Sequence, residues 1–138
     1  MRTFEDTVAL IKKIYEGRFD DKGLPYWNHS VAVMESLGND SPVAKQVALL
    51  HDVLEDTGWT YDDLIRVGFS NEVVEAVRLL TRSGGVTYFD YIRSIIDSQN
   101  DIAIKVKIAD LRHNLYRGKP PGDLTRRYLI ALTMLGAA

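Results

Sequence analysis

Apolar residues return at three- and four-residue intervals through most of the chain, and this rhythm constrains the fold more than any other feature. Phe4, Val8, Ile11, Ile14 and Tyr15 line one face of a first helix, which Gly17 ends. The stretch "GRFDDKGLPYWNH" reads as a loop, because it combines two glycines, two aspartates and Pro25. A second helix starts near Asn28 and runs through "HSVAVMESL" to Gly38. A third opens with Ser41 as cap and Pro42 in its first position, and Gly58 closes it. Thr60 with Asp63 resembles a capping box before "YDDLIRVG", and Ser70 caps "NEVVEAVRLLT", which buries Val73, Val77 and Leu80. After the break at "RSGG", Thr87 with Asp90 opens "YFDYIRSIIDSQ". Asp101 opens the long helix "IAIKVKIADLRHNLYRG", stopped by Gly118 and the Pro120-Pro121 pair, and a last helix covers about Leu124 to Leu135. The apolar run "IAIKVKI" is β-branched enough for a strand, but the caps around it favour helix. The fold class is therefore all-α, with about eight helices.

A chain of 138 residues with 46% hydrophobic content matches one domain with one core, here residues 1–138. A net charge of -2 supplies no general attraction to nucleic acid or to an anionic membrane, although Arg126 and Arg127 form a local phosphate-sized cluster. No cysteine is present, so disulfides and thiolate ligands are excluded and any metal must be held by nitrogen and oxygen. The N-terminal segment mixes acidic, basic and apolar residues and lacks the continuous apolar core of a signal or a span. A cytoplasmic protein with no membrane and no nucleic-acid partner is the expectation, and a homo-oligomer stays open.

The segment "LLHDVLEDTGW" interrupts this pattern. Val43, Ala44, Val47 and Ala48 mark an inward helical face, and His51 with Asp52, then Glu55 with Asp56, continue the same series. Three carboxylates crowded on an inward face are costly to desolvate unless something positive compensates them. Asp110 presents the same difficulty, set between Ala109 and Leu111 in an apolar helix, with Lys107 and Asn114 as helical neighbours. His29 stands at the start of its helix with Ala32 and Val33 on the same face. Each has a plainer reading alone: His29 as a satisfied core histidine, Asp110 as a buried carboxylate held by a lysine and an amide. Together His29, His51, Asp52 and Asp110 form a nitrogen and oxygen set suited to Mn²⁺, Fe²⁺, Co²⁺, Ni²⁺ or Zn²⁺. Adjacent helical residues diverge by about 100°, so His51 and Asp52 share an ion only if it sits close beside the helix.

The ordered series His29, His51-Asp52, Asp110 resembles that of the HD-domain metal-dependent phosphohydrolases. The surrounding "LPYWNH", "VALLHDVLEDT" and "VKIADLRHNL" are similar to motifs of the guanosine tetraphosphate hydrolases, namely the hydrolase domains of RelA/SpoT proteins and small SpoT-like enzymes. The resemblance runs from about Gly17 to Tyr116. It implies a single-domain HD-type helical bundle in which the four residues bind one Mn²⁺. It further implies that Glu55 and Asp56 serve hydrolysis of the 3′-pyrophosphate of guanosine 3′,5′-bispyrophosphate, giving GDP or GTP and pyrophosphate. Arg18, Asn114 and Tyr128 match substrate-contacting positions, so the implied partner is a small nucleotide. His113 is not among the implied ligands, and Trp27 and Trp59 are expected to pack beside the site.

Three positions depart from the family pattern: Phe19 where a basic residue is common, Ser30 where proline follows the first histidine, and Leu24 in place of threonine. None is an implied ligand. The loss of a cation at Phe19 leaves room for an HD phosphatase acting on another nucleotide, such as a nucleoside monophosphate or the 2′-phosphate of NADPH. A catalytically silent nucleotide-binding module is the third reading, and the intact ligands and Glu-Asp pair weigh against it.

Overall fold

In the computed structural model, residues 3–116 and 122–137 are described. Among them the chain forms nine helices: α1 (Phe4–Ile14), α2 (Trp27–Ser36), α3 (Pro42–Leu50), α4 (Val53–Asp56), α5 (Tyr61–Arg66), α6 (Asn71–Leu79), α7 (Tyr88–Asp97), α8 (Asp101–Tyr116) and α9 (Gly122–Met134). The described residues contain no strand beyond an isolated antiparallel bridge between Phe19 and Pro25. No helix among them is long and apolar enough to cross a membrane.

The starts follow from local chemistry. The hydroxyls of Ser41, Thr60, Ser70 and Thr87 each accept from the amide three residues on, satisfying one of the donors that a helix leaves unpaired at its start. Thr60 and Asp63 complete a reciprocal capping box, and Thr3 with Asp6 forms another at α1. At α8 the cap is Asn100, whose side-chain oxygen accepts from the Ala103 amide at 2.9 Å, while Asp101 is the first helical residue. The expected stop at Gly118 and Pro120-Pro121 lies outside the described residues. Gly17 (φ +79°) and Gly38 (φ +61°) take the left-handed conformation just beyond α1 and α2, where a side chain would be strained.

α3 is the centre of the molecule and packs against α1, α2, α6 and α8. Every residue from Gln46 to His51 is buried, so this end of α3 is enclosed on all sides rather than along one stripe. The helix expected to run from Ser41 to Gly58 is in fact two, and the break falls at His51 and Asp52. A continuing helix would pair the Ala48 carbonyl with the Asp52 amide. That carbonyl accepts the Nδ1–H of His51 at 2.6 Å, and Asp52 takes φ -105°, ψ -3°, off the helical values. α4 then adds a single turn that carries Glu55 and Asp56.

Between α1 and α2 the chain doubles back. The Asp20 amide bonds the Leu24 carbonyl and the Tyr26 amide bonds the Arg18 carbonyl, both at 2.9 Å. This small hairpin brings Arg18 over the end of α4.

Candidate metal centre

Four side chains from three separate regions converge beside the break. His29 comes from α2, His51 and Asp52 from the α3–α4 junction, and Asp110 from the middle of α8. One donor atom from each lies within 4.8 Å of all the others. Asp110 Oδ1 is 2.7 Å from His29 Nε2 and 3.2 Å from His51 Nε2, and Asp52 Oδ2 is 3.1 Å from His51 Nε2. The two adjacent side chains reach one point where the backbone at Asp52 departs from regular helical values.

The proton positions show whether the set fits a cation. A carbonyl only accepts, so His51 carries a proton on Nδ1 and turns Nε2 toward two carboxylate oxygens that also only accept. Either Nε2 is protonated as well, or a cation occupies the space between. Burial alone would lower the pKa of His51, but Asp52 and Asp110 outweigh it and hold the ring well above its usual range. Burial likewise would raise Asp110, yet Lys107 and His51 hold it well below the usual carboxylate range. Asp52 is lowered as well, chiefly by His51 against the opposing effect of burial. Two imidazole nitrogens and two ionised carboxylates facing one another are the donors a divalent transition metal takes. The residues therefore fit such an ion, and the choice of metal is not fixed by them.

The outer contacts fix the cluster in place. Lys107 Nζ bonds Asp110 Oδ2 at 3.0 Å, and Asn114 Nδ2 donates to Asp110 Oδ1 at 3.3 Å. Both helical neighbours of Asp110 thus hold it, so Asn114 touches the centre directly. His113, set aside at the sequence level, lies with Nδ1 2.7 Å from Nδ1 of His29. No local pattern announces that contact, since the two residues stand 84 apart in the chain.

Glu55 and Asp56 lie on α4, the turn that follows the break. Glu55 accepts from the Arg82 amide, and its pKa is raised, mainly by partial burial and then by Asp52, against the opposing Arg82 contact. Asp56 is also raised by burial and by Asp52, while Tyr15 donates its hydroxyl to Oδ2 at 3.1 Å. Arg18 donates Nη1 to the Asp56 carbonyl at 3.0 Å and lies over the rings of Tyr15 and Tyr26. Tyr128 is half-buried on α9, within electrostatic reach of Tyr88, whose ring in turn faces Lys107, the partner of Asp110. Trp27 and Trp59 are partly buried and pack against the core.

No family model matches the chain. Its fold matches a solved structure described as a metazoan ortholog of SpoT that hydrolyses ppGpp, with a TM-score of 0.74 and 21% identity over 96% of this chain and 82% of that one. That likeness shows the fold, and within it the chain brings His29, His51, Asp52 and Asp110 together. In sequence the chain is similar to guanosine-3′,5′-bis(diphosphate) 3′-pyrophosphohydrolases. The bifunctional (p)ppGpp synthase/hydrolase SpoT of Escherichia coli K12 is 30% identical over 80% of this chain, and the 3′-pyrophosphohydrolase MESH1 of Mus musculus is 30% identical over 78%. The chain spans 18% of the length of SpoT and 63% of MESH1.

Proposed function

We propose that the chain is a metal-dependent phosphohydrolase that removes the 3′-diphosphate of guanosine 3′,5′-bis(diphosphate), releasing pyrophosphate and GDP, or GTP from the 5′-triphosphate form. The observation that carries this reading is the convergence of His29, His51, Asp52 and Asp110, with Glu55 and Asp56 on the next turn. The names of the relatives support the substrate. We assign Mn²⁺ to the four ligands; such an ion lowers the pKa of a water and polarises a phosphoryl oxygen.

In this reaction a water oxygen forms a bond to the phosphorus attached to the ribose 3′ oxygen. The P–O3′ bond breaks, its electron pair stays on O3′, and O3′ takes up a proton. The water must lose a proton, and Glu55 is the group we assign to receive it. Its raised pKa makes it a better base than an ordinary glutamate, and its contact with the Arg82 amide fixes its direction. Asp56, restrained by Tyr15, orients the water. Arg18 uses one of its five N–H donors on the Asp56 carbonyl and keeps the rest for a phosphate. Asn114 and Tyr128 are assigned to the nucleoside.

One observation favours a second reading. Phe19, next to Arg18, is 63% exposed and uncharged, so this position adds no second cation beside Arg18 for a highly charged substrate. A phosphatase acting on NADPH or a nucleoside monophosphate needs less positive charge. The test is purified protein with Mn²⁺ incubated with guanosine tetraphosphate, NADPH and nucleoside monophosphates, with Asp52→Ala and Glu55→Ala as controls. Pyrophosphate released from the first substrate alone supports the proposal. Phosphate released from the others selects the second reading, and no turnover of any of them overturns both.

A further inference from the structure

We propose that His113 is a positioning residue for the metal centre, holding His29 in the tautomer that presents a bare Nε2 to the ion. The inference rests on the reading that the four-residue cluster holds a divalent cation. Each ring nitrogen of His29 has a defined neighbour. Nε2 faces the cluster, 2.7 Å from Asp110 Oδ1, and Nδ1 lies 2.7 Å from Nδ1 of His113. The two rings are stacked, with centroids 4.9 Å apart and 26° between their planes. A nitrogen–nitrogen approach this short needs one proton between the two atoms.

A metal takes the lone pair of a neutral imidazole, so an ion at the cluster requires Nε2 of His29 to carry no proton. The ring proton then sits on Nδ1, and Nδ1 of His113 must accept it. His113 in turn carries its own proton on Nε2. His113 is half-buried and lines a cavity of about 520 Å³ with Ser36, Leu37, Arg112 and Tyr116.

The two histidine ligands meet the same requirement differently. The Nδ1 proton of His51 is held by the Ala48 carbonyl, which belongs to the backbone and accepts whatever the side chains are. The Nδ1 proton of His29 depends on a single side chain, and that side chain can be replaced. Outer partners of metal-bound histidines typically contribute about 10- to 100-fold in metal affinity.

The experiment measures Mn²⁺ affinity by calorimetry for the unaltered protein, His113→Leu and His113→Asn, with melting temperatures in EDTA as a fold control. Asparagine carries Oδ1 on Cγ, where histidine carries Nδ1, so it restores the acceptor; leucine fills the space without one. We expect His113→Leu to weaken Mn²⁺ binding about 10- to 100-fold and His113→Asn to recover most of the loss. His113→Met takes the place of the leucine variant if that one fails to fold. Equal affinity in the unaltered protein and His113→Leu overturns the proposal, and so does an equal loss in the leucine and asparagine variants. A folded, unaltered protein that binds no Mn²⁺ overturns the metal-centre reading itself.

Discussion

Lys107 reaches along α8 to place its ammonium 3.0 Å from Oδ2 of Asp110, and the two side chains are only 11% and 5% exposed. A pair this enclosed is destabilising to break, because removing one partner leaves the other charge without compensation. Lys107→Met should cost about 3 kcal/mol, the low end of the usual range for such a pair, since His29 and His51 still face the carboxylate. Urea unfolding in EDTA reads this cost. Saturating Mn²⁺ should reduce it, because the ion supplies the missing positive charge; an equal cost with and without Mn²⁺ removes the argument.

The raised pKa of His51 sets a competition between proton and metal. Asp52 and Asp110 keep the ring protonated above its unfolded value near 6.5. Its contribution to stability without an ion is therefore full below about pH 6.5 and declines as the pH rises through the raised folded value. A metal at Nε2 displaces that proton. At pH 7 Mn²⁺ binding should release about one proton, measurable by calorimetry in buffers of different ionisation enthalpy. No proton release would show that the ring is already neutral.

Glu55 and Asp56 should separate binding from chemistry. Glu55→Gln is expected to lower kcat by about 10²- to 10⁴-fold, the usual contribution of a positioned base, with Mn²⁺ affinity retained. Because burial and Asp52 raise both carboxyls, the acid limb of kcat/KM should lie above the ordinary carboxylate range. A glutamine variant with full kcat would exclude Glu55 as the base.

Alkaline stability should depend on Tyr91. Its hydroxyl donates to the Leu80 carbonyl at 2.6 Å, and burial raises its pKa above the ordinary phenol value. An unfolded tyrosine ionises near pH 10, so the stabilisation is complete below about pH 10 and is lost as the pH climbs from there toward the folded value. Tyr91→Phe should flatten the fall in urea midpoint between pH 9 and pH 11 while lowering stability by about 1 kcal/mol at pH 8, a typical net hydrogen bond. An unchanged slope would assign the alkaline loss to other groups.

The helix starts were legible because a cap is a short-range event. Ser41, Thr60, Ser70 and Thr87 each bond an amide three residues away, and the residue types alone announce them. Asn100 and Asp101 are both good caps, and nothing in their order says which one serves. The break at His51 and Asp52 has no glycine or proline to mark it. It depends on a ring reaching back to the Ala48 carbonyl inside a fully enclosed helix, and apolar periodicity carries no trace of that contact. Convergence of the four cluster residues was legible from their chemistry, since buried carboxylates and histidines need one another. The partner of His29 was not, because counting histidines as ligands leaves no place for one that touches another histidine.

His29 and Asp110 touch although 81 residues of chain separate them, and the break at His51 lies between. Contacts this distant in sequence close large loops and tend to form late as a chain folds. During synthesis the centre has no complete set of donors until α8 has emerged, whatever α1 to α7 have already formed. An ion bound there ties early and late parts of the polypeptide together. Its main kinetic effect should be to slow the escape from the native state, with little change in the speed of reaching it.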